Sequence, residues 1–212
     1  YRSQGRFQDA IDISRKGLRI FPNDGNIYTD LSWYYSLANR HEDAIQAALA
    51  AIKFLPDQSL AYTNLCRAYN DTKQYQQAIT ACNNALRINP NDGETNFYLG
   101  RSYDFIGKPL DASKYYDKAV SGLVEFTKNN PDYSDGYYLL GNAYFADNQP
   151  VKAIESYQKC LELSPKFTKA RFNLGIIYLG RKDKASATEQ YNALLNLDKD
   201  LAAKLKAEID KK

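Results

Sequence analysis

Prolines recur in this chain at a fixed interval. Pro22, Pro56 and Pro90 lie 34 residues apart; the next interval ends at Val124, the proline arrives late at Pro131, and Pro165 follows 34 residues after it. A period between about 20 and 50 residues means one supersecondary unit repeated. Such a chain stacks its units in a row rather than wrapping them around one centre.

Laid out at that period, the chain aligns with itself. The segments "YTDLSWYYSLANRHEDAIQAALAAIKFLP" from Tyr28 and "YTNLCRAYNDTKQYQQAITACNNALRINP" from Tyr62 share several columns, as do those from Asn96, Tyr137 and Arg171. One column is leucine: Leu31, Leu65, Leu99, Leu140 and Leu174. A tyrosine follows four residues later: Tyr35, Tyr69, Tyr103, Tyr144 and Tyr178, with Tyr1 in phase before them. An alanine column closes the unit: Ala10, Ala44, Ala78, Ala112, Ala153 and Ala187. Spacing of i, i+4 sets each leucine and tyrosine on one helix face. The residue after each leucine is small (Ser32, Cys66, Gly100, Gly141, Gly175), which lets a second helix approach against the alanines. Mid-helix glycine costs about 1 kcal/mol against alanine, so three of them need such a packing reason. Pro109 and Pro150 suit the first turn of a second helix. The repeating prolines stop each second helix, and Asp24 and Asp92 are placed to cap the next first helix.

These columns resemble the tetratricopeptide repeat family over nearly the whole chain. Two departures are Tyr, Asn or Arg at the family's first-helix Trp, and Lys199 where the sixth unit would have proline. The resemblance implies an all-α, right-handed superhelical solenoid of antiparallel helix pairs, its first helices lining the concave face. The expected organisation is one solenoid over residues 1–212. It opens with a half repeat (1–24) and continues through full repeats 25–58, 59–92, 93–133, 134–167 and 168–199. A capping helix (200–212) follows, with Leu201, Leu205 and Ile209 on one stripe.

Composition excludes more than it suggests. The net charge is +3 without a block of like charge, so no electrostatic footprint for nucleic acid is present. No apolar run is long enough to cross a membrane. A signal or anchor segment before Tyr1 would be invisible, so compartment is not readable. Three cysteines (Cys66, Cys82, Cys160) are too few and scattered for a disulfide framework or a zinc site. They read as buried small hydrophobes, with Cys82 facing the next repeat. His41, the only histidine, falls in an aromatic column with Phe7 and Tyr75 and reads as packing. No phosphate loop, metalloprotease or nucleophile-elbow motif occurs. No enzyme activity, cofactor or metal is therefore expected. Asn70-Asp71-Thr72 is a formal glycosylation sequon that matters only for a chain secreted from a eukaryote.

The expected function is a non-enzymatic protein–protein interaction scaffold that takes a partner peptide or helix in its groove. The first-helix positions left over by the framework are Trp33, Arg67, Asn70, Phe97, Arg101, Asp104, Tyr138, Asn142, Phe145 and Phe172. Aromatic and Arg side chains are the usual hot spots of such surfaces. The competing reading is that Phe97, Tyr138 and Phe172 only pack first helix to first helix. One branch of the family holds a C-terminal carboxylate with Lys and Asn in one repeat, Asn in the next, and Lys and Arg in a third. From Tyr28 those sites hold Thr29 and Trp33, Asn64, then Glu94 and Tyr98; only Asn64 matches, and the other registers do no better, which argues against that clamp. The alternative function is structural: head-to-tail assembly into a filament through incomplete terminal repeats. A recruiting segment of a larger enzyme is a third class.

The late proline predicts one long helix. Seven extra residues are nearly two turns, adding roughly 10 Å while rotating the face by only about 20°. The second helix of residues 93–133 should run from about Pro109 to Asn129, leaving Leu123, Val124 and Phe126 as a second apolar surface; the alternative is a helix that ends near Gly122 with a loop after it.

Overall fold

A computed structural model describes residues 2–211, with side chains from residue 7 onward. Tyr1 of the tyrosine column lies outside the described residues. Every regular element among them is a helix: α1 (Arg2–Ile20), α2 (Gly25–Leu37), α3 (His41–Phe54), α4 (Ser59–Asp71), α5 (Tyr75–Ile88), α6 (Gly93–Phe105), α7 (Pro109–Asn129), α8 (Ser134–Ala146), α9 (Pro150–Leu163), α10 (Thr168–Gly180), α11 (Lys184–Leu194) and α12 (Lys199–Asp210). The sequence leads to one solenoid; the helices pack as two compact units, residues 1–119 and 120–212, with the boundary inside α7.

The turns inside the hairpins repeat as faithfully as the helices. Asn39, Lys73, Gly107, Asn148 and Lys182 all have positive φ, between 57° and 77°. Each is the residue past a first-helix C-cap. The N–H that follows it reaches back to the framework tyrosine carbonyl: Arg40 to Tyr35 at 2.8 Å, Gln74 to Tyr69 at 2.8 Å, Gln149 to Tyr144 at 2.8 Å. This is the Schellman closure, which satisfies orphan carbonyls. Lysine at two of these positions costs ~1 kcal/mol in backbone strain that glycine would avoid. Between hairpins, Asp24 accepts from the Asn26 and Ile27 N–H groups and Asp92 from that of Thr95, capping α2 and α6. Asp183 and Asp198 cap α11 and α12 in the same way.

The small-residue column does what its spacing implies. A Cβ on Gly100 would meet the Tyr116 ring at 2.7 Å, and one on Gly141 the Tyr157 ring at 2.6 Å. Ala44, Ala78, Ala112, Ala153 and Ala187 are all buried. Gly175 breaks the pattern: Leu205 of α12 occupies the space over it, at 2.6 Å from a built Cβ. The terminal helix thus packs into the last hairpin. Its buried stripe is Ala202, Leu205 and Ile209, one residue off the expected one at Leu201.

Helix α7 has 21 residues where α3, α5 and α9 have 14, so the seven inserted residues extend it as expected. The extension lies in the second unit. Leu123 and Thr127 are buried on it, and Phe126 packs edge-on to Tyr133 and over Gly136.

Candidate functional site

In the first unit, the first helices α2, α4 and α6 are joined by a polar spine. Thr29 donates to Gln58 Oε1 at 2.6 Å, and its carbonyl accepts from Asn64 Nδ2 at 3.1 Å. Arg67 donates to Asn64 Oδ1 at 2.8 Å and pairs with Glu94 at 2.9 Å. Its guanidinium carbon lies 4.0 Å from the centre of the Trp33 ring. Asn70 donates to the Tyr98 carbonyl at 3.2 Å and to Ser102 Oγ at 2.9 Å.

Three expected groove residues are therefore spent inside the fold. Arg67 is 5% exposed, Asn70 1% and Phe97 9%. A polar side chain on a first helix, such as Arg67 or Asn70, reaches the next first helix before it reaches the groove, and satisfies that helix instead. Phe97 packs edge-on to Tyr98 and against Tyr116. Burial pushes the Tyr98 hydroxyl well above the usual phenol range. Trp33 and Arg101 are half-buried, and Asp104 is exposed while accepting from Tyr116. Arg101 approaches Asp71 at 3.6 Å, and Asp71 lies 3.8 Å from His41 Nδ1. His41 thus faces a carboxylate rather than filling an aromatic contact. Phe105, which the same spacing puts on the groove side of α6, is exposed and stacked on Tyr75 at 4.8 Å.

In the second unit, Tyr138 packs against Tyr157 and Phe167, at 6.0 and 4.9 Å between ring centres. Tyr157 is buried and donates to Asn142 Oδ1 at 2.6 Å; Asn173 Nδ2 donates to the same oxygen at 3.0 Å. Both lone pairs of that oxygen are taken, which orients the amide. Phe145 is exposed and Phe172 is half-buried against the α10–α12 core. On the α7 extension, Leu123 is 3% exposed and presents no surface, because its helix face turns onto the core; Val124 and Phe126 stay about 40% open.

The structure corrects the reading of the cysteines. Cys66 of α4 and Cys82 of α5 form a disulfide, with Cα atoms 5.2 Å apart at a sequence separation of 16. Cys82 faces Cys66 of its own repeat, not the next one. The signal was present: Gly100 and Tyr116, and Gly141 and Tyr157, stand at the same separation and touch. The reading that no other register does better also fails: in the one from Tyr137, Asn142 and Asn173 occupy the two Asn positions of the carboxylate-binding pattern, while Tyr138 stands at its first basic one. The sequon is closed, since Asn70 is buried and bonded. Among the described residues no group of three or more metal-binding side chains occurs, and no helix is long and apolar enough to cross a membrane.

This arrangement, helical hairpins closed by small residues against large ones and, within each unit, polar ties between first helices, defines a helical-repeat fold. Residues 59–92 and 134–167 match the family described as tetratricopeptide repeat. Among curated proteins no sequence matches. The solved structure of a thermophilic tetratricopeptide protein of Thermus thermophilus, TTC0263, is similar with a TM-score of 0.69 at 20% identity, over 88% of this chain and 99% of that one. The APC/C hetero-tetramer Cut9–Hcn1 gives a TM-score of 0.73 at 17% identity, over 97% of this chain and 40% of that one. MamA (41-end) of Desulfovibrio magneticus RS-1 gives 0.52 at 24% identity, over 83% and 96%. Two segments of the chain thus match tetratricopeptide repeats, and the chain has the fold of solved tetratricopeptide proteins, one that serves in general as a scaffold for protein–protein interaction.

Proposed function

We propose that the chain is a non-enzymatic scaffold that holds an extended or helical segment of a partner protein against its first helices. The supporting observation is Trp33. Its ring rests on the Arg67 guanidinium, which Glu94 and Asn64 hold in turn. A large aromatic surface is thereby fixed before any partner arrives, which lowers the ordering cost of binding. Arg101, Asp104 and Phe105 extend this face in the first unit. Tyr138, the oriented amide of Asn142, Phe145 and Phe172 offer a separate face in the second. The test is partner capture by cross-linking in native extract, repeated with Trp33→Ala/Phe105→Ala and with Phe145→Ala/Phe172→Ala. If both variants stay folded and keep every partner, the reading fails.

A second reading, head-to-tail self-association, draws on α1, where Ile13 and Ile20 are 69% and 71% exposed. The outward side of α12 carries Lys204 and Lys206, both exposed, which gives that surface no apolar counterpart there. A strict monomer by light scattering at high concentration would dismiss it.

A further inference from the structure

The bridge between Cys66 and Cys82 stands where other repeats use packing. Gly100 accepts the ring of Tyr116 and Gly141 that of Tyr157, at the same separation of 16 residues. Here the hairpin is closed covalently instead. The Cα separation of 5.2 Å lies within the range of about 4.4–6.8 Å that a bridge spans without moving the backbone. Both cysteines are fully buried, so no reductant reaches either sulfur while α4 and α5 stay packed. The remaining thiol, Cys160, lies in the other unit, buried as well. Burial pushes its pKa up to about 12, so it keeps its proton and supplies no thiolate for exchange. The helix tied down is also the one that matters most for the first unit, since α4 carries Asn64, Arg67 and Asn70, the ties to α2 and α6.

We propose that Cys66–Cys82 is a permanent staple made at folding, and that this chain therefore folds in an oxidising compartment, outside the reducing cytosol. Two S–H bonds break and one S–S bond forms. The two electrons and two protons pass to a disulfide oxidant, either a thiol–disulfide oxidoreductase or a small-molecule disulfide, which leaves as two thiols. Bridges of this kind persist where no thiol pool reduces them during synthesis. The inference is independent of which partner the first helices take.

The decisive measurement is a thiol count on the full chain isolated from its native source. Free thiols are trapped by acid quench, and the chain is denatured and alkylated. One alkylated thiol before reduction and three after it are expected; three before reduction overturns the proposal. Native protein should keep the bridge for hours in millimolar dithiothreitol and lose it in guanidinium. Loss within minutes under native conditions would make it a switch rather than a staple, and the proposal would fall. Cys66→Ala/Cys82→Ala should lower Tm by on the order of 10 °C, and an unchanged Tm counts against the staple. Cys66→Gly with Cys82→Tyr rebuilds the contact used by the other repeats. That variant should fold and melt identically with and without dithiothreitol, whereas the wild type in reductant should melt lower when refolded reduced.

Discussion

The guanidinium of Arg67 lies 4.0 Å from the centre of the Trp33 ring and 2.9 Å from a Glu94 oxygen, so one buried cation joins three successive first helices. Arg67→Ala removes the stack and the ion pair together. The expected loss is about 3 kcal/mol, the scale of breaking a buried pair. Trp33 is the only tryptophan in the chain, so its emission reports the site directly. A red shift in the folded variant is expected alongside a lower urea midpoint. Unchanged emission would mean that the ring is held by something else.

Gly141 and Tyr157 are a matched pair. Alanine at position 141 gains about 1 kcal/mol in helix propensity but places its Cβ 2.6 Å from the Tyr157 ring. The clash should win, with a net loss of about 1–3 kcal/mol. In a Tyr157→Ala background the same substitution should cost nothing further. Strict additivity in that double-mutant cycle would refute the contact. Gly180→Ala, with nothing within 4 Å, is the internal control and should be within about 0.5 kcal/mol of neutral.

The α7 extension separates its apolar residues by burial. Leu123→Ala should cost about 2–4 kcal/mol, since the side chain is 3% exposed. Val124→Ala, at 42% exposure, should cost less than about 1 kcal/mol. Chemical denaturation of the two variants decides it, and equal losses would show that the helix face is assigned wrongly.

Asn70 tests the sequon against the fold. It donates to the Tyr98 carbonyl and to Ser102, so Asn70→Ala should destabilise by about 1–3 kcal/mol. A glycan on the same nitrogen cannot coexist with those bonds. Folded protein from a glycosylating secretory host should therefore have the mass of the bare chain at this site, and a glycosylated, folded fraction would contradict the α4–α6 contact.

The period, the hairpins, the small and large columns and the long α7 are all legible in the chain. Each is a local or periodic signal: leucine and tyrosine at helical spacing, proline after a helix, seven residues inserted as two turns. Tertiary structure decided how the leftover residues are used. Arg67, Asn70 and Phe97 sit on the groove side of their helices by spacing, yet the neighbouring first helix claims Arg67 and Asn70, because a buried polar group takes whatever partner lies within reach, and Tyr116 of the same hairpin claims Phe97. Leu205 rather than Tyr191 fills the space over Gly175, and Cys82 turns to Cys66 rather than to the next repeat. Helical spacing fixes the face a side chain leaves from. Only the packed neighbours, many residues distant along the chain, fix what it meets.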